Sequence, residues 1–190
     1  MKYDIIVVGS GPGGYVAAIR ASQLGRRVAL VERAETGGVC LNWGCIPTKA
    51  LLKSAQVYNY CKSAEHYGLD FAGEVRPNLE KIVARSRGVA ETMNKGVLFL
   101  LKKNNVELIN GFAKLKGNGR IDVDGTEYEA DHIILATGAR PREMPFMPID
   151  GEHVISSKQA LVLPKLPETM IVVGSVSYTH LRAHETSAHL

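Results

Sequence analysis

Short β-branched runs alternate with amphipathic stretches along the first part of the chain. Asp4-Ile-Ile-Val-Val is continuously apolar after its aspartate, the pattern of a parallel strand buried on both faces. A glycine-rich turn, Gly9 to Gly14, follows it. Then come a helix kept thin by Ala17, Ala18 and Ala21, a stop at Gly25, and a second strand ending at Glu32. Residues 48–67 read as helix. So do residues 78–103, with Leu79, Ile82, Val83, Ala90, Met93, Val97 and Leu101 on one face. Segments 106–115, 120–123 and 127–136 read as strands separated by Lys116-Gly-Asn-Gly119 and Val123-Asp-Gly125, a small antiparallel meander capping a parallel sheet. The proline-rich stretch 140–167 reads as a crossing, and residues 168–175 as a strand opening a second fold. The predicted class is α/β.

The first turn has chemistry of its own. Gly9-Ser-Gly11-Pro-Gly-Gly14 is a complete G-x-G-x-x-G between a strand and a helix. Gly9 permits the tight turn, Gly11 lets the backbone approach a pyrophosphate, and Gly14 lets helix and strand pack closely. Glu32 stands 18 residues after Gly14, where a carboxylate can accept from a ribose hydroxyl. Strand, turn, helix and acid together point to a dinucleotide, without choosing between NAD and FAD.

A second element, Gly37-Gly38-Val-Cys40-Leu-Asn-Trp-Gly-Cys45-Ile-Pro-Thr-Lys49, holds two of the three cysteines. Residues five apart in a regular helix have Cα atoms roughly 8–9 Å apart. A disulfide needs less than about 7 Å. An oxidised Cys40–Cys45 pair therefore requires a distorted segment, and Gly44 supplies the freedom. Pro47 suits the first turn of a following helix, which puts Cys45 near a helix N-terminus, where a thiolate is stabilised. Lys49 follows on the same face. These features favour a labile, catalytic pair over a structural staple. A zinc site using Cys40, Cys45, Cys61 and His66 is the rival, but Cys61 and His66 stand about 140° apart round a helix axis. No metal site is expected.

Composition narrows the field modestly. A net charge of +4, with basic residues only in short doublets, leaves no nucleic-acid footprint. No run approaches the roughly 18 apolar residues of a membrane span, and the N-terminal apolar run is too short for a signal peptide. A cytoplasmic location is expected, where three cysteines argue for redox or metal chemistry rather than a disulfide scaffold. Residues 176–190 change character abruptly, carrying three of the six histidines. Their wording resembles a translated sequencing-library adaptor, so they are expected to be a non-native tail.

With the cysteine element following such a glycine turn, the chain resembles the flavin-dependent pyridine nucleotide–disulfide oxidoreductases over residues 1–175. Ile133-Ile-Leu-Ala-Thr137-Gly138-Ala-Arg-Pro-Arg142 matches that family's A-T-G segment. The resemblance implies a Rossmann-like FAD-binding domain over 1–145, and a linker with the first strand of a truncated NAD-binding domain over 146–175. FAD would be held by Gly9, Gly11, Gly14, Glu32, Gly37, Gly38, Lys49, Ala113, Thr137 and Gly138. Cys40 would be the interchange thiol, Cys45 the thiol facing the flavin, and Lys49 the cation at its reactive edge. The wording is nearest the branch that oxidises dihydrolipoyl groups and reduces NAD. A dihydrolipoyl domain of a 2-oxoacid dehydrogenase or glycine cleavage complex is the implied partner, and a homodimer the implied assembly. Mercuric reductase and glutathione reductase share the cysteine element and are the alternatives within the family. A flavin-binding module without disulfide chemistry is the alternative outside it. Because the family's NAD fold and His–Glu base lie further along, the chain as written is expected not to reduce NAD.

Overall fold

A computed structural model describes residues 2–70 and 72–174. The elements are β1 (Lys2–Val8), α1 (Pro12–Gln23), β2 (Val28–Glu32), α2 (Gly38–Trp43), α3 (Cys45–Lys62), a 3-10 turn (Ala64–Tyr67), α4 (Leu79–Lys103), β3 (Glu107–Asn110), β4 (Ala113–Gly117), β5 (Arg120–Val123), β6 (Thr126–Leu135) and α5 (Ser157–Ala160). The strands form one six-stranded sheet in the order β3-β2-β1-β6-β5-β4. Strands β3, β2, β1 and β6 run parallel, whereas β4, β5 and β6 form the antiparallel meander. The α/β class and the meander thus stand as read.

The central strands carry apolar residues on both faces because both faces are covered. On the helical side Val7, Val28 and Leu30 pack with Ala18 of α1, Leu41 of α2, and Val97 and Leu101 of α4. On the other side Ile6, Ala29 and Val31 pack with Ile121 and Val123 of β5 and Ala130 of β6. Helix α4 starts where Asn78 caps it, its side-chain oxygen accepting from the Lys81 N–H at 2.9 Å. Leu101 is 2% exposed. Leu101→Ala should therefore cost about 2–5 kcal/mol, read as a lowered urea midpoint.

The structure corrects four sequence expectations. Segment 106–115 is two strands, because Gly111 breaks it: its N–H donates to the Glu32 carbonyl at 2.8 Å, ending β3 and redirecting the chain into β4. The helix expected over 48–67 starts earlier, at Cys45, and gives way to the 3-10 turn after Lys62. Met93 lies exposed on α4, while Ser86, expected on no core face, is fully buried. Residues 168–174 form no strand, and Ile171 is 90% exposed. An apolar β-branched run becomes a strand only beside a partner strand, and among the described residues none pairs with it. The expected tail, 176–190, lies outside the described residues. No helix among the described residues is long and apolar enough to cross a membrane.

Candidate functional site

At the carboxyl end of β1 the sheet changes direction: β2 and β3 lie to one side and β6, reached much later in the chain, to the other. Crevices at such points are where open α/β sheets bind ligands. The glycine turn occupies this one. The Gly9 N–H donates to the Val31 carbonyl at 2.8 Å, tying the turn to β2, and Gly9 adopts φ +100°. A Cβ on Gly9 would lie 2.2 Å from the Ala136 carbonyl oxygen, and one on Gly14 1.8 Å from the Gly9 oxygen. Both positions are closed to any side chain. Gly11 differs, for a Cβ there meets nothing within 4 Å. Its backbone faces open space at the N-terminus of α1, whose first turn carries no acidic residue. A pyrophosphate fits that cradle in shape and charge.

Glu32 closes β2 beside the turn, with its carboxylate fully engaged. One oxygen accepts from the Ser10 N–H at 2.9 Å and the Ser10 hydroxyl at 2.6 Å, and the other from the N–H groups of Arg33 and Ala34. Burial pushes the carboxyl up, but these hydrogen bonds outweigh it and hold Glu32 below the ordinary glutamate range. Four donors fill its acceptor sites, so a ribose hydroxyl must displace one. Only the Ser10 hydroxyl can rotate away. A depressed folded value means the stabilisation is complete above the unfolded pKa and is lost as pH falls through the folded one. Glu32→Gln should flatten the fall in stability below about pH 4.3, measured by urea midpoints across pH.

Ser10 also joins the glycine turn to the cysteine element. The Gly37 N–H reaches the Ser10 carbonyl at 3.1 Å and its hydroxyl at 3.2 Å, and a Cβ on Gly38 would lie 2.7 Å from the Gly11 Cα. The cysteine element is thereby seated on the cradle. Within it, α2 ends and α3 begins at Gly44, whose φ −147° and ψ −115° break the helix. Cys45 is the first residue of α3 and Pro47 lies in its first turn, as the sequence indicates.

Both cysteines are free thiols, Cys45 exposed and Cys40 half-buried. A Cβ on Gly44 would lie 3.3 Å from the Cys40 Cα, so the break folds the start of α3 back against Cys40, and Cys45 is near enough to act on the Cys40 thiol. Burial, foremost, and then the proton shared with Cys45 push the Cys40 thiol up to about 11, against a smaller opposing pull from the Lys49 charge. In the dithiol state Cys40 therefore favours its protonated form.

The other expected residues divide by place. Thr137 is at the cradle: its Cα would lie 3.2 Å from a Cβ on Gly9. Gly138, next to it, lies just past the end of β6 at φ +70°. Ala113 opens β4 two residues after Gly111, whose N–H bonds the Glu32 carbonyl. Lys49 is exposed on α3, near enough to Cys40 to act on its thiol. Cys61 and His66 do not join the pair: Cys61 is on α3 and His66 on the 3-10 turn. Among the described residues no three His, Cys, Asp or Glu side chains could hold a metal ion.

Sequence reasoning missed Ser10, fully buried as the hub of this site, and the hold of α4 on the cysteine element. Asn94 donates to the Thr36 carbonyl, Ser86 to the Pro47 carbonyl at 3.1 Å, and Arg87 to the Asn42 carbonyl. Ser10 and Asn42 sit inside motifs already singled out. The α4 residues carry no local signal.

Fold and site define a dinucleotide-binding α/β domain with a cysteine pair seated on its cradle. Residues 3–177 match the family model described as pyridine nucleotide-disulphide oxidoreductase. The chain belongs to that family. It is similar to the dihydrolipoyl dehydrogenases of Zymomonas mobilis (52% identical over 180 residues, 91% of this chain and 38% of the relative) and Rhizobium etli (48% over 194 residues, 92% and 40%). It is similar also to one from Bacillus subtilis, 41% identical over 186 residues, 91% of this chain and 39% of the relative. The chain thus spans about two fifths of the length of these relatives.

Proposed function

We propose that the chain is the FAD-binding and redox-disulfide portion of an enzyme that oxidises dihydrolipoyl groups at the expense of NAD. The observation that carries this reading is the fold of the chain at Gly44, which sets Cys45 back beside Cys40 on an element seated against the glycine turn. Residues 1–145 form the FAD domain, with Gly9, Gly11 and Gly14 at the pyrophosphate, Glu32 at the ribose, and Ala113, Thr137 and Gly138 along the crevice. Residues 146–175 lead into an NAD-binding domain. When bound, FAD would supply the two-electron acceptor for the cysteine pair.

With the pair oxidised, a substrate thiolate attacks the Cys40 sulfur. The Cys40–Cys45 bond breaks, the electron pair leaves on Cys45, and a mixed disulfide joins substrate to Cys40. The second substrate thiolate then attacks the substrate sulfur of that bond, closing the substrate's own disulfide and releasing Cys40. Two electrons have passed from substrate to pair, and two protons must be taken up. Because burial favours protonated Cys40, that thiol takes up one of them as it is released.

The partner is the dihydrolipoyl domain of a 2-oxoacid dehydrogenase or glycine cleavage complex, acting on a homodimeric enzyme in the cytoplasm. The similarity to dihydrolipoyl dehydrogenases supports this over mercuric and glutathione reductase. The test compares NAD-linked turnover of dihydrolipoamide with NAD(P)H-linked reduction of oxidised glutathione and of mercuric ion by the intact protein. Dihydrolipoamide should be preferred by at least about 100-fold in kcat/KM, roughly 2.7 kcal/mol of transition-state binding. A preference for either alternative substrate overturns the reading.

A further inference from the structure

The peptide between the two cysteines is held from outside the motif. Arg87, half-buried on α4, donates from its guanidinium to the Asn42 carbonyl and lies 4.1 Å from the Trp43 ring centroid. The Lys158 ammonium of α5 lies 4.4 Å from the same centroid, and the indole N–H donates to Glu35 at 3.2 Å. Asn42 is 5% exposed, and its side-chain amide donates to the Thr36 and Gly38 carbonyls at 2.9 Å each. Asn42 and Trp43 are thus fixed on backbone and ring at once.

We propose that Arg87 is a positioning residue for the Cys40–Cys45 pair, holding the Asn42–Trp43 bridge so that the two sulfurs stay within reach of each other. The proposal rests on the pair being redox-active. The reason is geometric. The helix breaks at Gly44, and a broken segment left alone samples many arrangements, most with the sulfurs apart. The Arg87 fork restrains carbonyl and ring together, which a point charge does less well. Fixing two reacting groups in contact raises their effective concentration, and so the tendency of the dithiol to close. Closing it removes two electrons and two protons from the thiols, and an external cyclic disulfide takes them up as it opens to its own dithiol.

The experiment equilibrates the intact protein with graded ratios of reduced to oxidised dithiothreitol. Differential alkylation and mass spectrometry of the peptide holding Cys40 and Cys45 then read the state of the pair. Arg87→Met should lower the oxidised-to-reduced ratio at a given poise about tenfold, near 30 mV for a two-electron couple. Arg87→Lys, which keeps the cation but not the fork, should lower it about threefold. It also decides the matter if Arg87→Met does not fold. Ile121→Ala weakens the core on the opposite face of the sheet, away from the cysteine element, and should leave the ratio unchanged. Arg87 variants at the unaltered ratio, or an Ile121→Ala shift as large as that of Arg87→Met, would overturn the assignment alone. An unaltered protein whose pair never closes at any poise would overturn the redox reading and this inference together.

Discussion

Cys40→Ser and Cys45→Ser should each lower dihydrolipoamide turnover by the intact enzyme on the order of 10⁴-fold or more. Residues that act as one unit lose nearly everything when either is removed. Neither variant can form the disulfide that accepts the substrate's electrons, and FAD binding should persist because the glycine turn is untouched. The variants should differ in the thiol each leaves. Cys40→Ser leaves Cys45, exposed at the start of α3, which should alkylate readily. Cys45→Ser leaves half-buried Cys40, whose proton burial retains, and alkylation of that residue should be slower by about tenfold or more. Turnover by either variant within about tenfold of the unaltered enzyme would show that the pair is not the redox centre.

Gly14→Ala should lose FAD and stability together. Its Cβ would stand 1.8 Å from the Gly9 oxygen and 2.9 Å from the Gly9 carbonyl carbon, and both are backbone atoms that cannot swing aside. Helix α1 would have to shift off the end of β1, pulling on the bond from the Gly9 N–H to Val31. Overpacking of this kind costs about 1–3 kcal/mol, a fall in Tm of roughly 2–10 °C in a domain of this size. Gly11→Ala is the contrast. Its methyl meets no protein atom within 4 Å, so Tm should hold, but it enters the space through which a pyrophosphate would approach. Its FAD affinity should fall at least about tenfold. Equal Tm and equal flavin retention in both variants would mean that the turn is not the cradle.

The strand–turn–helix–strand unit was legible because each of its constraints is local. Gly9 and Gly14 stand where no side chain fits, and Pro47 could lie only in a first turn. The break at Gly44 followed from the reach of a disulfide. What escaped the sequence depends on distant partners. Arg87 reaches Asn42 across 45 residues, and nothing around Arg87 distinguishes it from any charged residue on a helix. Ser10 occupied a variable position of the glycine motif, and its role appears only when Glu32 and Gly37 are brought to it. The burial that raises the Cys40 thiol likewise comes from packing that the motif does not spell out. The run 168–174 had the composition of a strand, but pairing decides strands, and composition does not reveal pairing.

A flavin cradle and a redox-active cysteine pair that form one site must fill with electrons together. Anaerobic reductive titration of the intact protein with dithionite, followed by flavin absorbance and a thiol count, tests it most directly. Uptake should reach about four electrons per bound flavin, two for the flavin and two for the pair, with two thiols appearing in the count. Cys40→Ser should take up only about two. Uptake of about two electrons by the unaltered protein, with its thiol count unchanged by reduction, would show that the pair is no part of a flavin redox site.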